Sequence, residues 1–291
     1  MTTLLPEYQD YYDFLTENVV TPFYTKRLAY LREMTLASVL KSKNPYMLKA
    51  KNVASPDELV RTIVDAFLSS QEETMFGNLL EGFAIYAAHK LYGGFKPENR
   101  PSIDLEFERD DKYYIVGIKS GTNWGNSDQV NRMKDNFKAA RIALSEAGIA
   151  KEIVAVNGCI YGKEANPLRD KKRKRVSGKL VAVDEEPDKI YYKFAGQDFW
   201  HFISGDDNLY QEIIKPIDEE ARERGETFKK TYNGKINEMS LEFGNHFLDT
   251  EGQIDWVKLV NYVSKRGAPE TSLSGRRSRR ARTENTLFQQ E

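Results

Sequence analysis

Cysteine is almost missing from this 291-residue chain, where Cys159 stands alone. A single thiol excludes both a disulfide framework and a cysteine-based metal site within one chain. Histidine is nearly as scarce. His89, His201 and His246 lie far apart beside aromatic or apolar residues, so they are expected in surface or core roles and not as ligands. No stretch approaches the roughly 18 apolar residues that a membrane span needs. The opening MTTLLPEYQDYYDFL carries acids in place of a long apolar run, so neither a signal peptide nor an anchor is expected there. These absences point to a reducing, cytoplasmic setting. Internal repeats are absent too.

An excess of charge of one sign is lacking as well. The chain holds 43 basic and 44 acidic residues, a net charge of −1, which argues against a generic nucleic-acid coat. The positive charge is nevertheless gathered into patches. RDKKRKR at 169–175 carries six basic residues and one acid, and RRSRRAR at 276–282 carries five basic ones. Two such runs in a chain whose remainder is acidic favour a polyanionic partner.

What is present reads as helices around a short mixed sheet. Apolar spacing over 7–40 predicts two helices with a break at Thr21 and Pro22. Ser55 followed by Pro56 has the form of a helix start, continuing over 59–68, and a second helix covers 72–90 with Phe76, Leu79, Leu80, Phe83, Ala84 and Ala87 as its stripe. Residues 127–146 form a helix with Ser127 as its N-cap, 151–157 and 188–194 are strands, and 199–203 is a short helix. The basic run between those strands is expected in a loop. Helices over 207–224, 226–247 and 255–264 close the ordered chain. The organisation is thus an N-terminal helical region (1–70), an α/β core with a mixed sheet (71–205), a C-terminal helical region assigned to core completion and dimer contact (206–265), and a basic disordered tail (266–291).

The chain is organised around 101–129. Residues 103–107 alternate apolar and acidic, 109–112 is a polar turn, and 113–118 is β-branched and aromatic, which together predict an antiparallel hairpin. Period two puts Asp104 and Glu106 on one face, and Gly117 and Lys119 on one face of the second strand. A strand carboxylate with a strand-borne lysine suits metal-dependent phosphodiester hydrolysis. The acid holds Mg²⁺, and the lysine positions water or neutralises charge on the phosphorane-like transition state. Such a site usually has a second acid two residues before the lysine, and here Gly117 stands there. Either the site is degenerate, or the small residue leaves room for a carboxylate from elsewhere. Glu81 on the preceding helix is preferred, with Glu106, Glu73 and Asp135 as the other metal-ligand candidates.

The stretches SSQEETMFGNLLEGFAIY (69–86), SIDLEFERDDKYYIVGIKSGTNWGNSDQVNRMKDNF (102–137), VAVNGCIYG (154–162) and GQDFWHFISGDDNLYQEII (196–214) resemble the PmeII-type family of type II restriction endonucleases, within the PD-(D/E)xK nuclease superfamily. The resemblance implies a restriction-endonuclease-like α/β fold, a central mixed sheet flanked by helices with helical N- and C-terminal additions. It also implies a homodimeric, Mg²⁺-dependent enzyme that cuts both strands of a short site in double-stranded DNA and works beside a cognate DNA methyltransferase. Asp104 matches the motif aspartate, Lys119 the motif lysine, and Glu81 in Gly77-x-x-x-Glu81 the helix glutamate. Ile103 and Gly117 depart from the superfamily pattern.

For DNA contact, Ser120, Asn123, Asn126 and Gln129 follow the lysine, where amides could bond a phosphate, a metal-bound water or a base edge, or simply each other in a turn. Arg132 and Lys134 face the groove or solvent. Lys171, Lys172, Arg173, Lys174 and Arg175 form the basic run that a phosphate backbone would attract. Two other readings stay open. One is a repair or structure-specific nuclease on the same fold, and the other is a catalytically inactive DNA-binding relative.

Overall fold

The computed structural model describes residues 8–169, 171–176, 179–184, 189–266 and 273, with the backbone alone at 169, 171–176, 179–184, 219, 220, 222 and 223. The chain divides into two compact units, Met1–Arg27 with Gln71–Glu226, and Leu28–Ser70 with Thr227–Glu291. The tail expected to be disordered lies almost wholly outside the described residues.

The first unit is built on the predicted hairpin. β1 (Leu105–Arg109) pairs antiparallel with β2 (Lys112–Lys119), with Leu105 opposite Val116. Asp110 and Asp111 make the two-residue turn at φ 50° and 58°. Aspartate tolerates this left-handed region and the primed turn matches strand twist, which is why two acids suffice without glycine. β2 then pairs parallel with β3 (Glu152–Cys159), placing Gly117 beside Asn157 and Lys119 beside Cys159. β7 (Tyr191–Ala195) adds in parallel to β3, and the two-residue β4 (Leu168–Arg169) adds antiparallel to β7, giving the order β1-β2-β3-β7-β4. The fold is the expected α/β mixed sheet flanked by helices.

Period two decides which helix covers which face. Tyr113 and Ile115 of β2 pack with Ile103, Ala155 and Tyr191 under Met133, Phe137, Ala140 and Leu144 of α6 (Ser127–Glu146). Tyr114, Val116 and Ile118 point the other way, against Leu80, Phe83, Ala84 and Ala87 of α5 (Pro56–Tyr92) and Phe199, Trp200 and Ile203 of α7 (Gln197–Ser204). Phe83, Phe137, Phe199 and Trp200 are essentially fully buried, each stabilising the unit by about 1.5–3 kcal/mol relative to exposure.

Several boundaries differ from the sequence reading. Helix α2 (Thr21–Glu33) runs straight through Pro22, and the five residues before it, Thr16–Val20, wind as a π-helix in which the Thr21 N–H reaches Thr16 O. The wider turn absorbs the proline that a regular helix would clash with, so the chain breaks after Glu33 instead. α5 is one helix of 37 residues with no break at Ser69 and Ser70. Serine costs only a few tenths of a kcal/mol in a helix, and burial of Leu68 and Leu80 on either side overrides it. Likewise α9 (Ile214–Phe247) continues through Gly225, where open space surrounds the glycine, and the break falls before it, after α8 (Leu209–Glu212). Pro216 sits in the first turn of α9, where its missing N–H costs nothing. The basic run does not form a loop. Its backbone is β5 (Lys171–Val176), paired antiparallel with β6 (Lys179–Asp184).

The second unit is helical among the described residues. α3 (Leu36–Lys41), α4 (Pro45–Ala50), α10 (Trp256–Ser264) and segments of α5 and α9 enclose Leu36, Val39, Leu48, Leu59, Ile63, Phe243, Phe247 and Leu259. No described helix of the chain is long and apolar enough to cross a membrane.

Candidate functional site

At the carboxyl end of β2 the hairpin ladder stops, and a side chain takes over from the backbone. The Asp104 N–H still donates to Val116 O (2.8 Å), but the next inward amide, Ile118 N–H, donates to the Asp104 carboxylate (2.7 Å). That bond fixes Asp104 against the strand end. Lys119, the last residue of β2, lies with Nζ 3.6 Å from Asp104 Oδ2 and donates to Ile118 O (2.7 Å). Both side chains are only partly accessible.

Glu81 joins them from α5. Burial, and then the neighbouring charge of Asp104, push its carboxyl above the usual range, while Lys96 and Lys119 pull it down less strongly. Lys96, in the segment after α5, donates to Glu81 Oε1 (2.7 Å). Burial works to lower the Lys96 ammonium, but the Glu81 hydrogen bond and the charges of Glu81 and Asp104 outweigh it and hold it above its ordinary value. Two carboxylates and two ammonium groups thus share one sheet end. Gly77 explains how α5 comes so near. A Cβ there would lie 2.6 Å from Ser120 Oγ, so the glycine lets the segment after β2 rest on the helix face that bears Glu81 one turn later.

The space at Gly117 is filled. Ser102, at φ 62°, turns its carbonyl over the glycine, and a Cβ there would lie 2.8 Å from Ser102 O and 3.6 Å from the Phe137 ring. The small residue therefore does not open room for a carboxylate; the main chain occupies it. Gly117→Glu is expected to lower stability by about 1–3 kcal/mol through overpacking rather than to supply a ligand, which thermal unfolding would show. A Gly117→Glu protein as stable as the wild type would mean that Ser102 gives way.

The other candidate ligands are not gathered here. Glu106 is fully buried, with both oxygens accepting from Arg100 NH1 (2.9 Å each) and one from Tyr113 OH (2.6 Å). Burial and then this bond push the Tyr113 phenol well up. Glu73 is exposed, about 12 Å before Glu81 along the α5 axis. Asp135 is exposed and pairs with Lys189 (3.1 Å), ahead of β7. Among the described residues no three or more His, Cys, Asp or Glu cluster as metal ligands.

The candidate DNA contacts divide. Asn126, not Ser127, caps α6: its side chain accepts from Gln129 N and the Gln129 side chain from Asn126 N, each at 3.0 Å, so these two amides bond each other. Asn123 and Arg132 are exposed, and Ser120 packs on Gly77. Lys134 faces neither groove nor solvent: it is buried with Nζ 5.7 Å from the Tyr191 ring centre. The side chains of Lys171, Lys172, Arg173, Lys174 and Arg175 lie outside the described residues.

Sequence reasoning missed Lys96, which no motif marks, and Asn157. Asn157 is buried, donates to Gly117 O (3.2 Å) and accepts from Trp124 Nε1 (3.0 Å). An amide ending the apolar run 153–156 is its only signal in the sequence.

The model of the type II restriction endonuclease EcoO109I family matches residues 10–225. It supports the type II restriction endonuclease class but not the PmeII-type family that the sequence resemblance named. No curated protein matches the chain. With well over half of its residues covered by that match, and with the mixed sheet the class requires, the chain belongs to the EcoO109I family of type II restriction endonucleases.

Proposed function

We propose that this chain is a homodimeric endonuclease that recognises a specific short sequence in duplex DNA and, with Mg²⁺, hydrolyses a phosphodiester bond in each strand. The observation that carries the reading is Asp104, held by the Ile118 N–H 3.6 Å from Lys119, with the Glu81 carboxyl on the neighbouring helix raised by burial and then by the Asp104 charge. Like charges pressed together out of water are costly unless a cation joins them. The donors are hard carboxylate oxygens, which fit an oxygen-seeking dication, so Asp104 and Glu81 would hold Mg²⁺. A dication held there would supply polarisation of the phosphate and a lowered pKa for the attacking water.

The protein groups do the rest. The Lys119 ammonium donates to a phosphate oxygen or to the attacking water and offsets charge as the phosphorane forms. Lys96 holds the Glu81 carboxylate at the same sheet end. Lysines and arginines, Arg132 and the run from Lys171 to Arg175 among them, would grip the DNA backbone and make binding salt-sensitive. Asn123, exposed three residues before the α6 cap, is placed to reach a base edge or phosphate. A two-fold dimer would read a palindromic site, and a cognate DNA methyltransferase would protect the cell's own copies.

The test is digestion of a phage-sized DNA of known sequence in Mg²⁺ and in EDTA. Discrete Mg²⁺-dependent bands are expected, and their ends give the target and stagger. A smear would favour a structure-specific or non-specific nuclease. Intact DNA that still shifts on a gel would favour an inactive DNA-binding relative and make Gly117 the mark of a lost site.

A further inference from the structure

The segment between Lys119 and α6 is fastened at every second residue. Ser120 rests on Gly77, Thr122 O accepts from Lys193 Nζ (2.9 Å), Trp124 Nε1 donates to Asn157 Oδ1 (3.0 Å), and Asn126 closes the capping box. Asn123, between them, is exposed. The third fastening differs in its target, because the indole it fixes lies under the lysine, with Lys119 Nζ 5.6 Å from the Trp124 ring centre. The amide that fixes it is buried to 1 % exposure and anchored by its own bond to Gly117 O, in the β2 register next to the site.

A lysine has a flexible four-carbon stem, and holding its ammonium in one place is entropically costly. Lys119 has one hydrogen bond to a neighbouring carbonyl and a carboxylate at 3.6 Å. Those two contacts lie toward the strand. The negative face of an indole, the best of the aromatic partners for an ammonium, supplies a third attraction. Asn157 needs no role of its own in the chemistry. A buried amide with both ends used orients the ring, and the ring orients the lysine.

We infer that Trp124, locked by the buried amide of Asn157, is the positioning residue of Lys119, and that Asn157 acts only through it. This rests on the reading of Lys119 as the active-site lysine. The competing account is that Trp124 merely fills space against the core cluster under α6, with which it packs. The two differ in what a smaller aromatic ring would do. Phenylalanine keeps a π face for the ammonium but loses the N–H, whereas leucine loses both.

The experiment has two arms. In protein labelled with [ε-¹³C]lysine, the Lys119 cross-peak, identified by its disappearance in Lys119→Arg, is expected shifted upfield by the indole ring current. The shift should vanish in Trp124→Leu, shrink in Asn157→Leu and persist in part in Trp124→Phe. In the second arm, single-turnover cleavage by Trp124→Leu should fall about tenfold, with DNA affinity in Ca²⁺ changed by less than about twofold and the thermal melt retained. Trp124→Phe should stay within about threefold of wild type, and Asn157→Leu should add nothing to Trp124→Leu. A Lys119 peak at the ordinary position, or Trp124→Phe as slow as Trp124→Leu, would overturn the inference. Full activity of Lys119→Ala would remove the lysine's role and this inference with it, whereas an inactive Lys119→Ala beside a fully active Trp124→Leu would remove this inference alone.

Discussion

A Lys119→Ala protein is expected to bind duplex DNA within a few-fold of wild type and to cut it about a thousandfold more slowly. The loss follows from position. Lys119 ends β2 with its ammonium 3.6 Å from Asp104, so it would meet the phosphate where charge develops, and alanine leaves that charge unanswered. Asp104→Asn is the companion test and the cleaner one. The amide oxygen can still accept from Ile118 N–H, so the strand end and the melt are expected to stay while cleavage falls as far. Glu81→Ala should cost as much if Glu81 shares the metal. A fully active Glu81→Ala enzyme would remove that assignment and leave Asp104 as the single carboxylate. Single-turnover rates in Mg²⁺, beside gel shifts in Ca²⁺, separate lost chemistry from lost binding. Cleavage at the wild-type rate by Asp104→Asn would move the active centre away from this sheet end.

Arg100→Met is expected to leave the chemistry in place and weaken the fold. Glu106 is fully buried and depends on Arg100 for one hydrogen bond to each of its oxygens. Removing the guanidinium strands a carboxylate in the interior with only Tyr113 OH beside it, a change worth about 3 kcal/mol, or roughly 6–12 °C in melting temperature for a unit of this size. Glu106→Leu made together with Arg100→Met should recover much of the loss, because the penalty belongs to the unpaired charge and not to the missing pair. The result decides between two uses of one acid. Weakened Ca²⁺ binding in the double variant beside an unchanged melt in Arg100→Met would return Glu106 to the metal-ligand set, and a lowered melt in Arg100→Met with Ca²⁺ binding intact in the double variant fixes it as a buried strut.

Local chemistry made much of this legible in the sequence. Alternation over 103–107, a polar stretch at 109–112 and the β-branched and aromatic run 113–118 mark the hairpin, which brings Asp104 and Lys119 together. The stripe of α6 and the apolar run of β3 were equally plain. The helix boundaries were not, because Ser69, Ser70 and Gly225 are read as breaks from small intrinsic propensities and Pro22 from its steric clash with a regular helix. Burial on both sides, a π-helical turn or an unopposed surface outweighs each of them.

For the site, the sequence by itself determined the residue types and their spacing: a carboxylate before one strand, a lysine ending the next, and a helix glutamate one turn after a glycine. Tertiary structure alone decided which acids are used up. Asp104 and Glu106 stand two residues apart, yet Glu106 is closed off by Arg100 and Tyr113 while Asp104 faces Lys119. It also decided that Gly117 is filled by Ser102 O, that Lys134 is buried beside Tyr191, and that Asn157 reaches Trp124 from another strand. Those are contacts between residues distant in the chain. They depend on strand register and on where a turn directs one carbonyl, and neither leaves a mark in composition or periodicity.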